Sequence, residues 1–136
     1  ATMSSPVRIL VADDHISVRR ALRSILELEP GCEVVGEATD GQQAVTLAEE
    51  LQPDVILMDI NLPGISGLEA LTILRDDEAT AHIPVVALSA NAMPRDIQKG
   101  LEAGFLCYLT KPIRVKEFMD ALNEALAFVD THAAKK

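Results

Sequence analysis

Five short runs rich in Val, Ile and Leu alternate with segments of helical periodicity, and this alternation limits the fold more than any other feature of the chain. The runs are "VRILVA" (7–12), "EVVGEA" (33–38), "VILM" (55–58), "IPVVALS" (83–89) and "FLCYL" (105–109). Between them, Val18, Leu22 and Ile25 fall at i, i+4 and i+7, and Ala44, Leu47, Ala48 and Leu51 mark a second helical face. Leu68, Leu71 and Leu74 mark a third, and Met93, Ile97 and Leu101 form a thinner stripe over about 94–103. A last helix begins near Arg114, with Val115, Phe118, Leu122, Ala125 and Val129 on one face. "PGC" (30–32) and Pro53 end the first two helices, and "TDG" (39–41) supplies an N-terminal cap for the second. Strands that are apolar on both faces and linked by helices predict a single parallel sheet, doubly wound, with helices covering both sides.

The 136 residues suit one domain, expected over 7–129 between a disordered segment at 1–6 and a frayed tail at 130–136. The tail, "THAAKK", is too short for a helix-turn-helix, so no DNA-binding output domain is expected. No apolar run approaches the ~20 residues of a membrane span, and "ATMSSP" lacks the pattern of a signal peptide. The expectation is a cytoplasmic protein without membrane insertion. A net charge of −9 argues against direct nucleic-acid binding. Cys32 and Cys107 show no metal-ligand spacing and read as two free thiols.

In a doubly wound sheet, ligands sit beyond the carboxyl ends of the strands. The residues expected there are Asp13 and Asp14, then Asp59, Ser89 and Lys111. One polar residue at a strand end is ordinarily a cap or a solvated turn. Several meeting at one edge make a site. Clustered carboxylates raise one another's pKa unless neutralised, and a divalent cation with oxygen ligands, Mg²⁺ above all, neutralises them. A lysine and a hydroxyl beside that ion suit a phosphoryl group, and the remaining carboxylate can act as nucleophile to give an aspartyl phosphate.

"LVADDH", "LMDINLPGISG", "ALSAN" and "YLTKPI" resemble the receiver domain of bacterial two-component response regulators over about residues 7–129. That resemblance implies a flavodoxin-like fold with five strands in the order 2-1-3-4-5 and five helices. It implies that Asp59 accepts a phosphoryl group from a histidine kinase or histidine phosphotransfer protein. Mg²⁺ would be held by Asp14, Asp59 and the carbonyl of Asn61, with Asp13 acting through water. Lys111 would pair with the acceptor, Ser89 would turn toward the phosphoryl oxygens beside the small Ala90, and Tyr108 would be the aromatic switch. Lys111–Pro112 would be a cis peptide. The module would catalyse its own phosphorylation and dephosphorylation without being an enzyme in the ordinary sense.

The stretch "LSANAMPRDIQKGLEAGFLCYLTKPI" resembles receivers of hybrid sensor kinases, whereas "ADDHISVRRAL" resembles receivers that carry DNA-binding domains. Asn61 and Asn91 stand where the family tunes hydrolysis, and two amides fix no lifetime. His15 reads as a solvated turn residue outside the metal set, and His82 and His132 as surface residues. A weak homodimer through the last helix is compatible with the sequence without being required by it. An aspartyl-phosphate phosphatase would need an acid where Asn61 stands. A degenerate receiver would lack some of Asp13, Asp14, Asp59, Ser89 and Lys111. A flavin protein would need a phosphate-cradling loop after the first strand.

Overall fold

The computed structural model describes residues 7–28, 31–90, 93–111 and 113–134. Asn91, Pro112 with its expected cis bond, the side chain of His132, and residues 1–6 lie outside the described residues. Strands β1 (Val7–Ala12), β2 (Cys32–Ala38), β3 (Val55–Asp59), β4 (Val85–Ser89) and β5 (Cys107–Thr110) alternate with five helices. These are α1 (Ile16–Glu27), α2 (Gly41–Leu51), α3 (Gly67–Asp76), α4 (Pro94–Ala103) and α5 (Val115–Ala134). The strands are all parallel and lie in the order β2-β1-β3-β4-β5.

Alternate side chains of each inner strand enter opposite layers. Leu10, Ala12, Ile56, Met58, Val85 and Ala87 pack toward α2 and α3, while Ile9, Val11, Val55, Leu57, Val86 and Leu88 pack toward α1 and α5. Burial on both faces is why these strands read as continuous apolar runs. The α2 cap follows its sequence signal, and α3 opens with a cap of its own. Asp40 Oδ1 accepts the N–H of Gln43 at 2.7 Å to open α2. Ser66 and Glu69 exchange bonds of 3.1 and 3.0 Å in a capping box that opens α3.

Two strands start two residues later than the sequence pattern, and backbone donors explain both. β4 begins at Val85, not 83: Ile83 donates its N–H to Thr80 at 3.1 Å, and Pro84 has none to give. β5 begins at Cys107, not 105. Gly104, at φ +120°, closes α4, and the Phe105 N–H turns back to the Gly100 carbonyl at 3.2 Å. At the other end, α5 runs on to Ala134, so the tail expected from 130 is helical backbone through that residue. The β1–β2 ladder also slips: Ile9 lies opposite Val34, but Leu10 lies opposite Gly36.

Candidate functional site at the carboxyl edge of the sheet

Sheet order places the site. β1 and β3 are neighbours, and the chain winds away from them in opposite directions, which opens a crevice beyond their carboxyl ends. Register sets the height. Ala12 lies opposite Met58, so Asp13 and Asp59 emerge level; Asp59 lies opposite Leu88, and Ser89 opposite Thr110. Lys111 follows at once, its N–H donated to the Ser89 carbonyl at 2.7 Å. Gly67 keeps the crevice floor tight, because a Cβ there would lie 2.6 Å from the Asp59 carbonyl oxygen. The Asp59-x₃-Pro63-x₃-Gly67 spacing is thus a packing requirement as well as a sequence pattern.

The charged groups converge. Lys111 Nζ lies 2.9 Å from Asp59 Oδ2 and 2.8 Å from Asp13 Oδ2, and the latter contact falls outside hydrogen-bond geometry. Asp59 Oδ1 accepts the Asn61 N–H at 2.9 Å. Asp13, Asp59 and Ser89 are buried, while Asp14 faces solvent. Burial alone would lower the pKa of Lys111, but its contacts with Asp13 and Asp59 outweigh that and hold it above the ordinary lysine value. Ligand atoms of Asp13, Asp14, Asp59 and His15 all lie within 4.8 Å of one another. Such a cluster can hold a divalent cation.

A cleft of about 260 Å³ adjoins this cluster, lined by Asn61 and Ser89 on one side and by Lys99, Gly100 and Tyr108 on the other. The Tyr108 ring is half-buried against the α2–α3 layer. It abuts α4 closely: a Cβ on Gly100 would lie 3.1 Å from Tyr108 Cδ2 and Cε2.

Three residues matter here beyond those expected: His15, which the sequence reading set aside, and Arg19 and Glu37, which it did not single out. His15, expected to be an ordinary turn residue, places Nδ1 3.2 Å from both Asp13 Oδ1 and Asp14 Oδ1, though its side chain is 64% exposed. Arg19 and Glu37 lie behind the acid pair, joined at 3.0 Å. Nothing in their sequence spacing reveals that α1 lays Arg19 across the end of β2.

The response regulator receiver domain family matches residues 9–123. The nitrate/nitrite response regulator NarP of Escherichia coli is 40% identical over 120 residues, which cover 88% of this chain and 55% of that protein. The chain therefore spans about half the length of that relative. The polar-differentiation response regulator DivK of Brucella anthropi is 36% identical over 121 residues, 89% of this chain and 97% of that protein. Among solved structures, the chemotaxis response regulator CheY4 of Vibrio cholerae superposes with a TM-score of 0.80 at 28% identity, covering 89% of this chain and 99% of that one. Fold, acid cluster and matched residues agree: this chain belongs to the receiver domain family of response regulators.

Proposed function

We propose that the chain accepts a phosphoryl group on Asp59 from the phosphohistidine of a histidine kinase or histidine phosphotransfer protein, and relays that event by a change of conformation. The carrying observation is Asp59 itself, a buried carboxylate between the Lys111 ammonium and the Asn61 N–H, beside Asp13 and Asp14. A carboxylate oxygen of Asp59 attacks phosphorus, the P–N bond breaks, and its electron pair leaves with the imidazole. Attack of water on the resulting acyl phosphate at the same site returns the carboxylate and releases phosphate.

The donor set fits a hard divalent cation, since it is chiefly carboxylate oxygen and includes the buried Asp13 Oδ2, which lacks a well-formed hydrogen bond. We assign Asp14, Asp59 and the Asn61 carbonyl to hold Mg²⁺, with Asp13 acting through water. Once bound, the ion would neutralise charge on the transferring oxygens. Lys111 then exchanges a carboxylate for a phosphoryl oxygen as its partner. Ser89 supplies a hydroxyl to that group, with the small Ala90 leaving the approach open.

Tyr108 is the switch in this reading, because its ring borders the same cleft as Ser89. Phosphorylation adds about −1.5 to −2 charge, and the new bonds it forms bias the packing of α4, β5 and α5. The stretch from Leu88 to Ile113 supports an affiliation with receivers of hybrid kinases. Neither Cys32 nor Cys107 is in a disulfide, which fits a cytoplasmic setting, and no described helix is long and apolar enough to cross a membrane.

Intact mass after incubation with acetyl phosphate and Mg²⁺ tests the proposal. Wild type gains one phosphoryl group, and Asp59→Asn or chelated samples gain none. No adduct, together with no Mg²⁺-dependent binding of beryllofluoride, would replace this reading with a receiver that binds partners without phosphorylation.

A further inference from the structure

The acid pair is held from behind by a residue that no sequence pattern marks. Arg19, on α1, is almost enclosed, with 12% of its side chain exposed. Its guanidinium makes two bonds in different directions. Nη1 donates to the main-chain carbonyl of Asp13 at 2.7 Å, and Nε donates to Glu37 Oε1 at 3.0 Å. Glu37 is anchored in turn, because its Oε2 accepts from Arg23 Nε at 2.9 Å. The residue after Glu37 completes the frame: the Ala38 carbonyl accepts the Asp13 N–H at 3.0 Å. Both polar groups of the Asp13 main chain are thus tied to the α1–β2 unit, one by a neutral bond and one by a charge-assisted bond.

We propose that Arg19 is a positioning residue for the metal site, setting the height and angle of Asp13 and Asp14 through the Asp13 carbonyl, with Glu37 and Arg23 as its anchor. This rests on the Mg²⁺ site of the proposed function. Two effects of Arg19 on a cation oppose each other. Its charge repels Mg²⁺, so removing it favours binding; its bond orders the acid pair, so removing it disfavours binding. Glu37 already offsets much of that charge, and a guanidinium spanning two acceptors holds geometry that a point charge does not. Ordering therefore wins. Partners that orient ligating groups typically change metal affinity by about 10- to 100-fold.

Calorimetric titration with Mg²⁺, without any phosphodonor, is the first measurement. Arg19→Met weakens Mg²⁺ binding by about tenfold, and Arg19→Lys, which keeps the charge and shortens the reach, falls between it and wild type. Arg20→Met, which removes an equal charge from an exposed position of α1, stays within about threefold of wild type. At saturating Mg²⁺ the beryllofluoride affinity of Arg19→Lys returns to the wild-type value, and its metal-free Tm stays within a few degrees of wild type. A general loss of structure would lower both. Wild-type affinity in both Arg19 variants, or tighter binding, overturns the positioning role and leaves the Mg²⁺ site intact. Absence of Mg²⁺ binding by wild type itself would remove the site and the inference with it.

Discussion

Lys111 and Arg75 are both drawn partly out of water at opposite edges of the same sheet, and they are satisfied in different ways. At the carboxyl edge, Lys111 meets Asp13 and Asp59, and the contacts raise its pKa. At the amino edge, Arg75 donates to the carbonyls of Ala81, Ile83 and Gly104 at 3.1, 2.9 and 3.1 Å. Burial lowers its pKa from the ordinary arginine value, yet a guanidinium keeps its proton. Arg75 joins the end of α3 to the entries of β4 and β5 and works as a fixed tie. Lys111 sits among charges that exceed its own, an arrangement that gives up stability. In the proposed function, charge at this edge serves chemistry; at the other it serves cohesion.

Substitutions can break this contrast. The largest effect expected is in Lys111→Met, whose rate of phosphoryl gain from acetyl phosphate falls by about 10²–10³, as when one electrostatic donor is lost; time-resolved intact mass reads it. A rate within a few-fold of wild type would leave Lys111 a structural partner. Next, Arg75→Met strands three carbonyls and lowers unfolding free energy in urea by about 2–3 kcal/mol, while the protein that remains folded still gains its phosphoryl group. Asp13→Asn has the opposite sign. It removes one fully buried carboxylate from a cluster in which one lysine faces several, and it raises metal-free stability by about 1 kcal/mol. Saturating Mg²⁺ narrows that gain, because wild type then has its own neutralising charge.

pH sharpens the comparison further. The folded pKa of Lys111 lies above its ordinary 10.5, so its contribution to stability is complete below that value and fades as pH rises through the folded one. The stability gap between wild type and Lys111→Met closes in strong alkali, while the Arg75→Met gap persists. At the acid end, hydrogen bonding to Arg23 and Arg19 against a smaller burial penalty holds Glu37 below its ordinary 4.5. Its contribution is complete above 4.5 and is lost as pH falls through the lowered value. Urea melts across pH measure both. The smallest effect concerns Cys107, whose thiol is pushed up to about 12 by burial, with Glu124 adding to it. Native protein at pH 8 leaves it almost unalkylated by iodoacetamide over the time in which the unfolded chain reacts fully.

Much of the fold was legible because burial on both faces leaves a plain mark. "VILM" and "VVALS" can be little else than inner strands, and the cap at Asp40 announces α2, whereas the capping box of Ser66 and Glu69 went unread. The starts of β4 and β5 were misplaced because apolar content does not reveal where a backbone N–H is spent; those of Ile83 and Phe105 go to Thr80 and Gly100. The acid residues, Ser89 and Lys111 were legible as strand ends. Arg19 and Glu37 were not, since each looks like any charged residue on an amphipathic segment until α1 is laid against β2.

The slip between β1 and β2 decides which side of the sheet Glu37 belongs to. Val34 lies opposite Ile9 and shares its layer with α1. Strict alternation would give that side next to Gly36 and turn Glu37 into the apolar layer beneath α2. The extra residue inverts the parity of the strand, so Glu37 pairs beside Val11 and comes out under Arg19 and Arg23. Deleting Val35 would leave composition and hydropathy almost unchanged and rewrite the addressing of everything up to Ala38. In this edge strand a single backbone irregularity works as a frameshift in space, and the link from α1 to the acid pair depends on it.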